Sequence, residues 1–433
     1  MIRLLPFTLI AMTALAADDD WFRWRGPNND GMARGDAPTE WSTTKNVAWK
    51  LSVPGKGHSS PVVWGNKLFL TTAVPIRPVE AATPEPAGGG RGPRSAGMGH
   101  EYSFRLLCID RNTGKILWDR EATKSVPHEG YHSTYGSYAS NTPATDGKHV
   151  VAFFGSRGVY VYDLDGKQVW NKQFPPMGMR LQFGEGVAPV LDGNSLYLKF
   201  DQQKGSYMLA LDKNTGKQLW RVERENEESS WSPPLVLTHN GRKMVVVSGD
   251  GKTRAYDPAD GKVIWEAAGL GGNVIPAPVT MDDIVIVMSG FRNPNLLAIR
   301  LGREGDLTGT DAILWTNQRG NSYTPSPVLH EGKLYFLTDS GMLSCFDAKT
   351  GKPFYHQQRL PKPYNFKSSP VGVNGKLYLA SEEGDVIIVK MGEKFEVLAT
   401  NPMPDHTFIA TPAVVQGSLY LRSQDALYCI RAN

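Results

Sequence analysis

Residues 210–220 read Ala210-Leu-Asp-Lys-Asn-Thr-Gly-Lys-Gln-Leu-Trp220. The stretch parses as the end of a strand, a tight turn at Asn214-Thr215-Gly216, and a second strand closing on a large aromatic. Asp and Asn supply side-chain oxygens for local backbone N–H groups, and Gly accepts positive φ, so this is a β-hairpin with its turn chemistry in place. One hairpin decides little, but this one recurs. Cys108 to Trp118 reads CIDRNTGKILW, Ala255 to Trp265 reads AYDPADGKVIW, and Cys345 to Tyr355 reads CFDAKTGKPFY. Val161 to Trp170 is the same unit one residue shorter.

A second signal marks the other half of each unit: a small residue and Pro, an apolar pair, a turn, then an alternating strand. It stands at Pro61, Pro143, Pro189, Pro234, Pro278, Pro327, Pro370 and Pro412, which makes eight units spaced 42 to 49 residues apart beyond the first. Pro at the start of a strand is where a ladder tolerates it. Four strands per unit at roughly 40–50 residues is the period of a propeller blade, and no segment holds a 3.6-residue apolar period. The fold class is therefore all-β, an eight-bladed propeller of four-stranded antiparallel blades. The eighth unit stops at Asn433 before its outer strand, while Val47 to Val53 is an unpaired strand with Trp49 in the docking position. Open ladders are avoided in soluble proteins, so this N-terminal strand is expected to close the ring.

Residues 47–433 thus form one propeller, and residues 17–46, with Trp21, Trp24 and Trp41, are expected to pack on the outside of the ring. The two longest insertions, residues 74–104 and 122–140, fall on the face that carries the B–C and D–A connections, called the top here. Arg3, the apolar run Leu4 to Leu15 and Ala14-Leu15-Ala16 read as a signal peptide over residues 1–16, implying a periplasmic or secreted protein. No later run is long and apolar enough for a membrane span, and no Cys follows the cleavage position to take a lipid anchor. Net charge is +4 with no basic cluster on a predicted strand, which gives no case for nucleic acid. Cys108, Cys345 and Cys429 share one repeat position, so they read as small apolar side chains within separate blades.

The run A-x-D-x-x-T-G-x-x-x-W at Ala210 to Trp220 resembles the tryptophan-docking repeat of pyrroloquinoline-quinone-type propellers. That resemblance implies a Trp stacked on the turn glycine of the neighbouring blade. Two relatives within it imply different functions. One is the quinoprotein dehydrogenases, which hold the quinone and Ca²⁺ in the funnel of an eight-bladed ring; the other is the non-catalytic scaffold of the outer-membrane β-barrel assembly machine. The stretches WRGPNNDG at Trp24, FGSRGVYVYDLDG at Phe154, FGEG at Phe183 and NVIPAPV at Asn273 are most similar to uncharacterised secreted bacterial members, often labelled assembly-scaffold-like. The quinoproteins' adjacent Cys pair, a C-x-x-C-H haem site and the scaffold's lipidation Cys are all absent from this sequence.

Several constellations can carry chemistry. His128-Glu-Gly-Tyr-His132 matches H-E-x-x-H, which on a helix would set two His for Zn²⁺. Gly130 inside and Pro127 before it argue against a helix, so the reading is a loop whose His128, His132 and Tyr135 bind a ligand or pack on the top face, with no metal. The entrances of the inner strands form a ring by construction: His58, Asn141, Glu185, Trp231 beside Ser230, Asn273, Tyr323, Lys367 and His406. Aromatic faces with a few polar groups at a propeller mouth suit a sugar or a cofactor. Glu185, Asn273 and Asp201 together offer oxygen ligands for Ca²⁺. Asp110, Asp163, Asp212, Asp257 and Asp347 recur at one repeat position and read as turn residues instead. The expected function is an exported, non-catalytic binding or scaffold propeller whose top-face funnel meets an envelope protein or a polysaccharide, with no cofactor. The alternative is a dehydrogenase using pyrroloquinoline quinone (PQQ) with Ca²⁺, or a carbohydrate-active enzyme using Glu185, His or Tyr in the same funnel.

Overall fold

The computed structural model describes residues 20–79 and 95–432. The signal-peptide reading for residues 1–16 and the centre of the first insertion lie outside the described residues. Among those described, eight antiparallel blade sheets stand side by side, seven of four strands and one extended by a fifth. Blade 3 is representative: Val190–Asp192, Ser195–Phe200, Tyr207–Asp212 and Gln218–Glu223, paired in that order. The two middle strands of each blade are buried nearly throughout, because they meet neighbouring blades on both faces; the outermost strands alternate. The eighth blade takes its outer strand from the start of the chain. Val47–Ser52 pairs antiparallel with Ala426–Arg431, with Trp49 opposite Cys429.

The recurring hairpin is what joins one blade to the next. The Asp212 carboxylate accepts from the N–H groups of Asn214 (3.0 Å) and Thr215 (2.9 Å) and from the Thr215 hydroxyl (2.9 Å). The hydroxyl and these backbone donors hold its carboxyl below the usual range. Gly216, at φ +71°, lies so close under the Trp170 ring of the preceding blade that a Cβ would come within 2.6 Å of it. The Trp170 indole N–H then donates to Lys213 O at 2.8 Å. Trp118 repeats this on Gly166, Trp220 on Gly261 and Trp315 on Gly351. Trp49 docks on Gly114 of blade 1, so the closing strand also carries the last inter-blade lock. Small residues sit across from several of these aromatics: Cys108 faces Trp118, Ala210 faces Trp220 and Cys345 faces Tyr355. All three cysteines are free and buried.

The pattern lapses where the sequence departs from it. Blade 5 has an insertion between Arg300 and Ile313, and Gly305–Asp306 within it adds a short parallel strand to blade 4. The turn that should receive Trp265 is displaced, and its buried indole N–H has no partner.

Residues 20–33 lie along the inner strands and not against the outer ones. Trp21 O accepts from Val63 N–H of blade 1, and Phe22 O from Thr145 N–H of blade 2, both at 2.9 Å. Gly31 O and Ala33 N–H bond Gly372 of blade 7. These contacts cluster near the A–B turns, at the bottom of the central channel. Arg25, fully buried, spans it by donating to Pro327 O (2.5 Å) and Pro370 O (2.7 Å). The outside of the ring is reached only afterwards, where Trp41 stacks on Tyr378 of blade 7. The physical reason is that inner-strand edges offer unpaired donors, while an outer face offers this segment's aromatics little to bury against.

Candidate functional site

With its bottom closed, the channel becomes a top-opening cavity of about 190 Å³. Five aromatics line it: Trp24 from the N-terminal segment, Tyr135, Phe183, Trp231 and Tyr323. His58, Glu185 and Lys367 are its charged or titratable lining residues, joined by hydroxyls of Ser and Thr from several blades. Of the residues singled out from the sequence, His58, Tyr135, Glu185, Trp231, Tyr323 and Lys367 therefore line one cavity.

Each is held by local structure. Glu185 accepts from the Ser156 N–H and hydroxyl (2.7 Å) and pairs with Arg157 at 3.2 Å. Gly155, at φ +62°, is required there, because a Cβ would fall on the Glu185 carboxylate. The FGSRG turn of blade 2 thus exists to seat the acid of FGEG. Trp231 donates its indole N–H to Gly184 O at 2.8 Å. Lys367 pairs with Asp339 (2.9 Å) and Glu382 (3.3 Å) and lies over the Tyr135 ring. His58 is buried, its Nε2 has no partner, and its pKa is pushed down to about 3 by burial and by the nearby Lys56 and Arg422.

The remaining predicted residues do not line the cavity. His128 bonds Met177 O at 2.7 Å and is exposed; His132 is buried, stacked on Tyr135 with centroids 3.5 Å apart. Asn141 donates to Val187 O (2.8 Å), Asn273 to the Tyr323 hydroxyl (3.4 Å), and His406 bonds the Tyr428 hydroxyl (2.6 Å). These polar side chains satisfy strand ends behind the wall, and inner-strand register alone does not tell the two positions apart. The H-E-x-x-H stretch is a loop whose Tyr131–His132 pairs with Ser95–Ala96 of the other insertion. Its two His diverge. Ligand atoms of His128, Glu129 and Glu185 do lie within 4.8 Å of one another. Each is already engaged, however, and the Arg157 guanidinium supplies the positive charge that a cation would bring. Reasoning from sequence missed Trp24, Phe183 and Arg157; the repeat-breaking FGSRG and FGEG motifs were the available signal for the last two.

The quinone and Ca²⁺ implied for the funnel do not fit this donor set. Ca²⁺ takes six to eight oxygens. Glu185 is the sole carboxylate lining the cavity among the described residues, and both its oxygens are occupied. Asp201, suggested from sequence as a Ca²⁺ ligand, is fully buried against Lys199 (3.2 Å) and Arg224 (2.7 Å) between blades 3 and 4. Unpaired, a carboxylate there would be too costly to bury, so the network satisfies itself and leaves no ligand for a metal.

Comparison with known proteins places this architecture. The chain is similar to outer membrane protein assembly factor BamB of Burkholderia pseudomallei, 30% identical over 47% of this chain, and spans 50% of that relative's length. To the protein of the same name from Yersinia pestis it is 22% identical over 74% of this chain and 77% of the relative. Among solved structures, BamB from Moraxella catarrhalis superposes with a TM-score of 0.55 at 13% identity, over 76% of this chain and 93% of that one. A europium-containing methanol dehydrogenase superposes with a TM-score of 0.66 at 11% identity, over 93% and 89%. At such identities these superpositions show the propeller fold alone. The sequence pattern of the family described as outer membrane protein assembly factor BamB matches residues 98–208 and 156–400, more than half of the chain, and the protein belongs to that family.

Proposed function

We propose that the protein is an exported, non-catalytic binding propeller of the bacterial envelope that holds a saccharide segment in its top-face cavity. The observation that carries this reading is the cavity's composition: five aromatic rings, scattered hydroxyls and one carboxylate already neutralised by Arg157. Aromatic faces cover the apolar faces of a sugar ring, and hydroxyls and backbone groups meet its edges. Membership of the assembly-factor family supports an envelope location and a binding role. Glu185 is a poor general acid or base, because its oxygens are fixed by Ser156 and Arg157 and cannot approach a substrate freely.

Titrating the protein with neutral oligosaccharides while following tryptophan fluorescence tests this reading. Quenching that saturates in the micromolar to millimolar range, and is reduced in Trp231→Phe, is expected. No response to any saccharide at about 10 mM would remove the reading. Added pyrroloquinoline quinone with Ca²⁺ is expected to leave the visible spectrum that of free quinone.

A further inference from the structure

The residue before each inner-strand proline has a second task. Thr411 N–H donates to the Ser60 hydroxyl (3.0 Å), Ser60 N–H to the Thr142 hydroxyl (2.9 Å), and Ser369 N–H to the Thr411 hydroxyl (3.1 Å). Ser326 N–H donates to the Ser369 hydroxyl and Ala277 N–H to the Ser326 hydroxyl, both at 2.9 Å. Each link runs from one blade to the next, so the small residue of the Ser/Thr/Ala-Pro motif is one bead of a hydrogen-bonded belt around the channel. The belt is broken on one side. Blades 3, 4 and 5 carry Ala188, Pro233 and Ala277 at this position, and none has a hydroxyl; Pro233, with no N–H, needs none from Ala277. Among the described residues, the N–H groups of Thr142 and Ala188 consequently have no hydrogen-bond partner.

Both orphaned donors belong to residues that line the cavity, on the side that also holds Phe183, Glu185 and Trp231. Thr142 is buried and Ala188 partly so, and a backbone N–H takes an acceptor from protein, water or ligand. The acceptor position left open in each case is the one that a hydroxyl fills in the other blades. The cations at this cavity, Arg157 and Lys367, are already paired with Glu185 and with Asp339 and Glu382, so a further carboxylate brought there is desolvated with no unpaired cation to meet it. A neutral oxygen needs none.

Resting on the saccharide reading above, we propose that the broken side of the belt is the polar subsite for a neutral saccharide, whose oxygens stand in for the missing hydroxyls of blades 3 and 4 by accepting from Thr142 N–H and Ala188 N–H. The subsite gives the cavity a direction, because the ligand's oxygens face blades 2 to 4 while Ser60, Ser369 and Thr411 on the other side are already paired among themselves. It also selects against uronic acids.

The test uses isothermal titration with cellobiose, maltose and N,N′-diacetylchitobiose, and with glucuronate and galacturonate, on wild type and Ala188→Ser. The serine hydroxyl completes the Ser60–Thr142 series by accepting from Thr142 N–H. Expected are binding of at least one neutral disaccharide, weaker binding of the uronic acids, and about a tenfold loss of affinity in Ala188→Ser. Its thermal midpoint should stay at or above that of wild type. Unchanged affinity in a folded Ala188→Ser, or tighter binding of the uronic acids in wild type, overturns the subsite while leaving saccharide binding intact. Binding of none of the five probes overturns the saccharide reading together with it. The wild-type comparison of neutral and acidic sugars decides the matter if the variant does not fold.

Discussion

Single residues carry unequal shares of this fold, and the docking tryptophans show why. Trp220 is buried, docks on Gly261 and donates to Pro258 O at 2.8 Å, whereas Trp265 is more deeply buried but its N–H has no acceptor. Trp220→Phe should therefore cost about 1 kcal/mol more than Trp265→Phe in denaturant unfolding, since only the former loses a hydrogen bond. Equal costs would show that the ring and not the N–H makes the lock. Glu129 offers a pH signature. Burial pushes its pKa up to about 8, against the bonds from Met179 N–H that favour the charged form. A folded-state pKa above the unfolded one means stability that is present below about pH 4.5 and is lost as pH rises towards 8. Wild type should thus lose stability between pH 5 and 8.5 relative to Glu129→Gln, as read by denaturant midpoints across that range. A parallel pair of curves would contradict the buried neutral acid.

At the scale of elements, the strand Val47–Ser52 does two jobs. It completes the ladder of blade 8 and delivers Trp49 to Gly114 of blade 1. Removing residues 47–53 should abolish cooperative unfolding or lower the thermal midpoint steeply, because two exposed edges replace a closed ring. Removing residues 81–93, which lie in sequence between the paired strands Lys67–Pro78 and His100–Asp110, should shift the midpoint only slightly, since the length of a connection enters stability weakly. Differential scanning calorimetry of the two deletions gives the comparison, and equal shifts would refute closure as the main lock. The same scale explains the irregular blade 5. Its insertion before Trp315 sacrifices one docking turn but covers the edge of blade 4 with Gly305–Asp306.

For the whole molecule, the N-terminal segment converts a ring with an open channel into a cup. Arg25 ties blades 6 and 7 across the bottom through two proline carbonyls. Its pKa is lowered to about 10 by burial, so it remains charged at neutral pH. Arg25→Ala should destabilise by about 2–4 kcal/mol, since it leaves both carbonyls unpaired. It should also speed proteolysis of residues 20–46 and weaken any ligand that rests on Trp24. Limited proteolysis and thermal melts together separate this from a surface effect, which would leave both unchanged.

The blade count, the closing strand, the docking turns and the buried cysteines were legible in the sequence. Each rests on chemistry repeated locally: Asp-x-x-Thr-Gly makes its own turn, and a Trp at fixed spacing meets the next one around the ring. Five of the eight predicted mouth residues, His58, Glu185, Trp231, Tyr323 and Lys367, also line one cavity. The sequence left open which entrance side chains face inward, since Asn141, Asn273 and His406 occupy the same kind of position as Glu185 and Tyr323 but bond backbone or hydroxyl groups behind the wall. Only the tertiary structure decided the rest. That Trp24 and Arg25 floor the channel, that FGSRG seats Glu185 from 28 residues away, and that the belt lacks its hydroxyls beside Thr142 depend on contacts between distant segments. Local propensity sets how each blade forms, but what the blades enclose follows from how eight of them and one strand of leader close around a common axis.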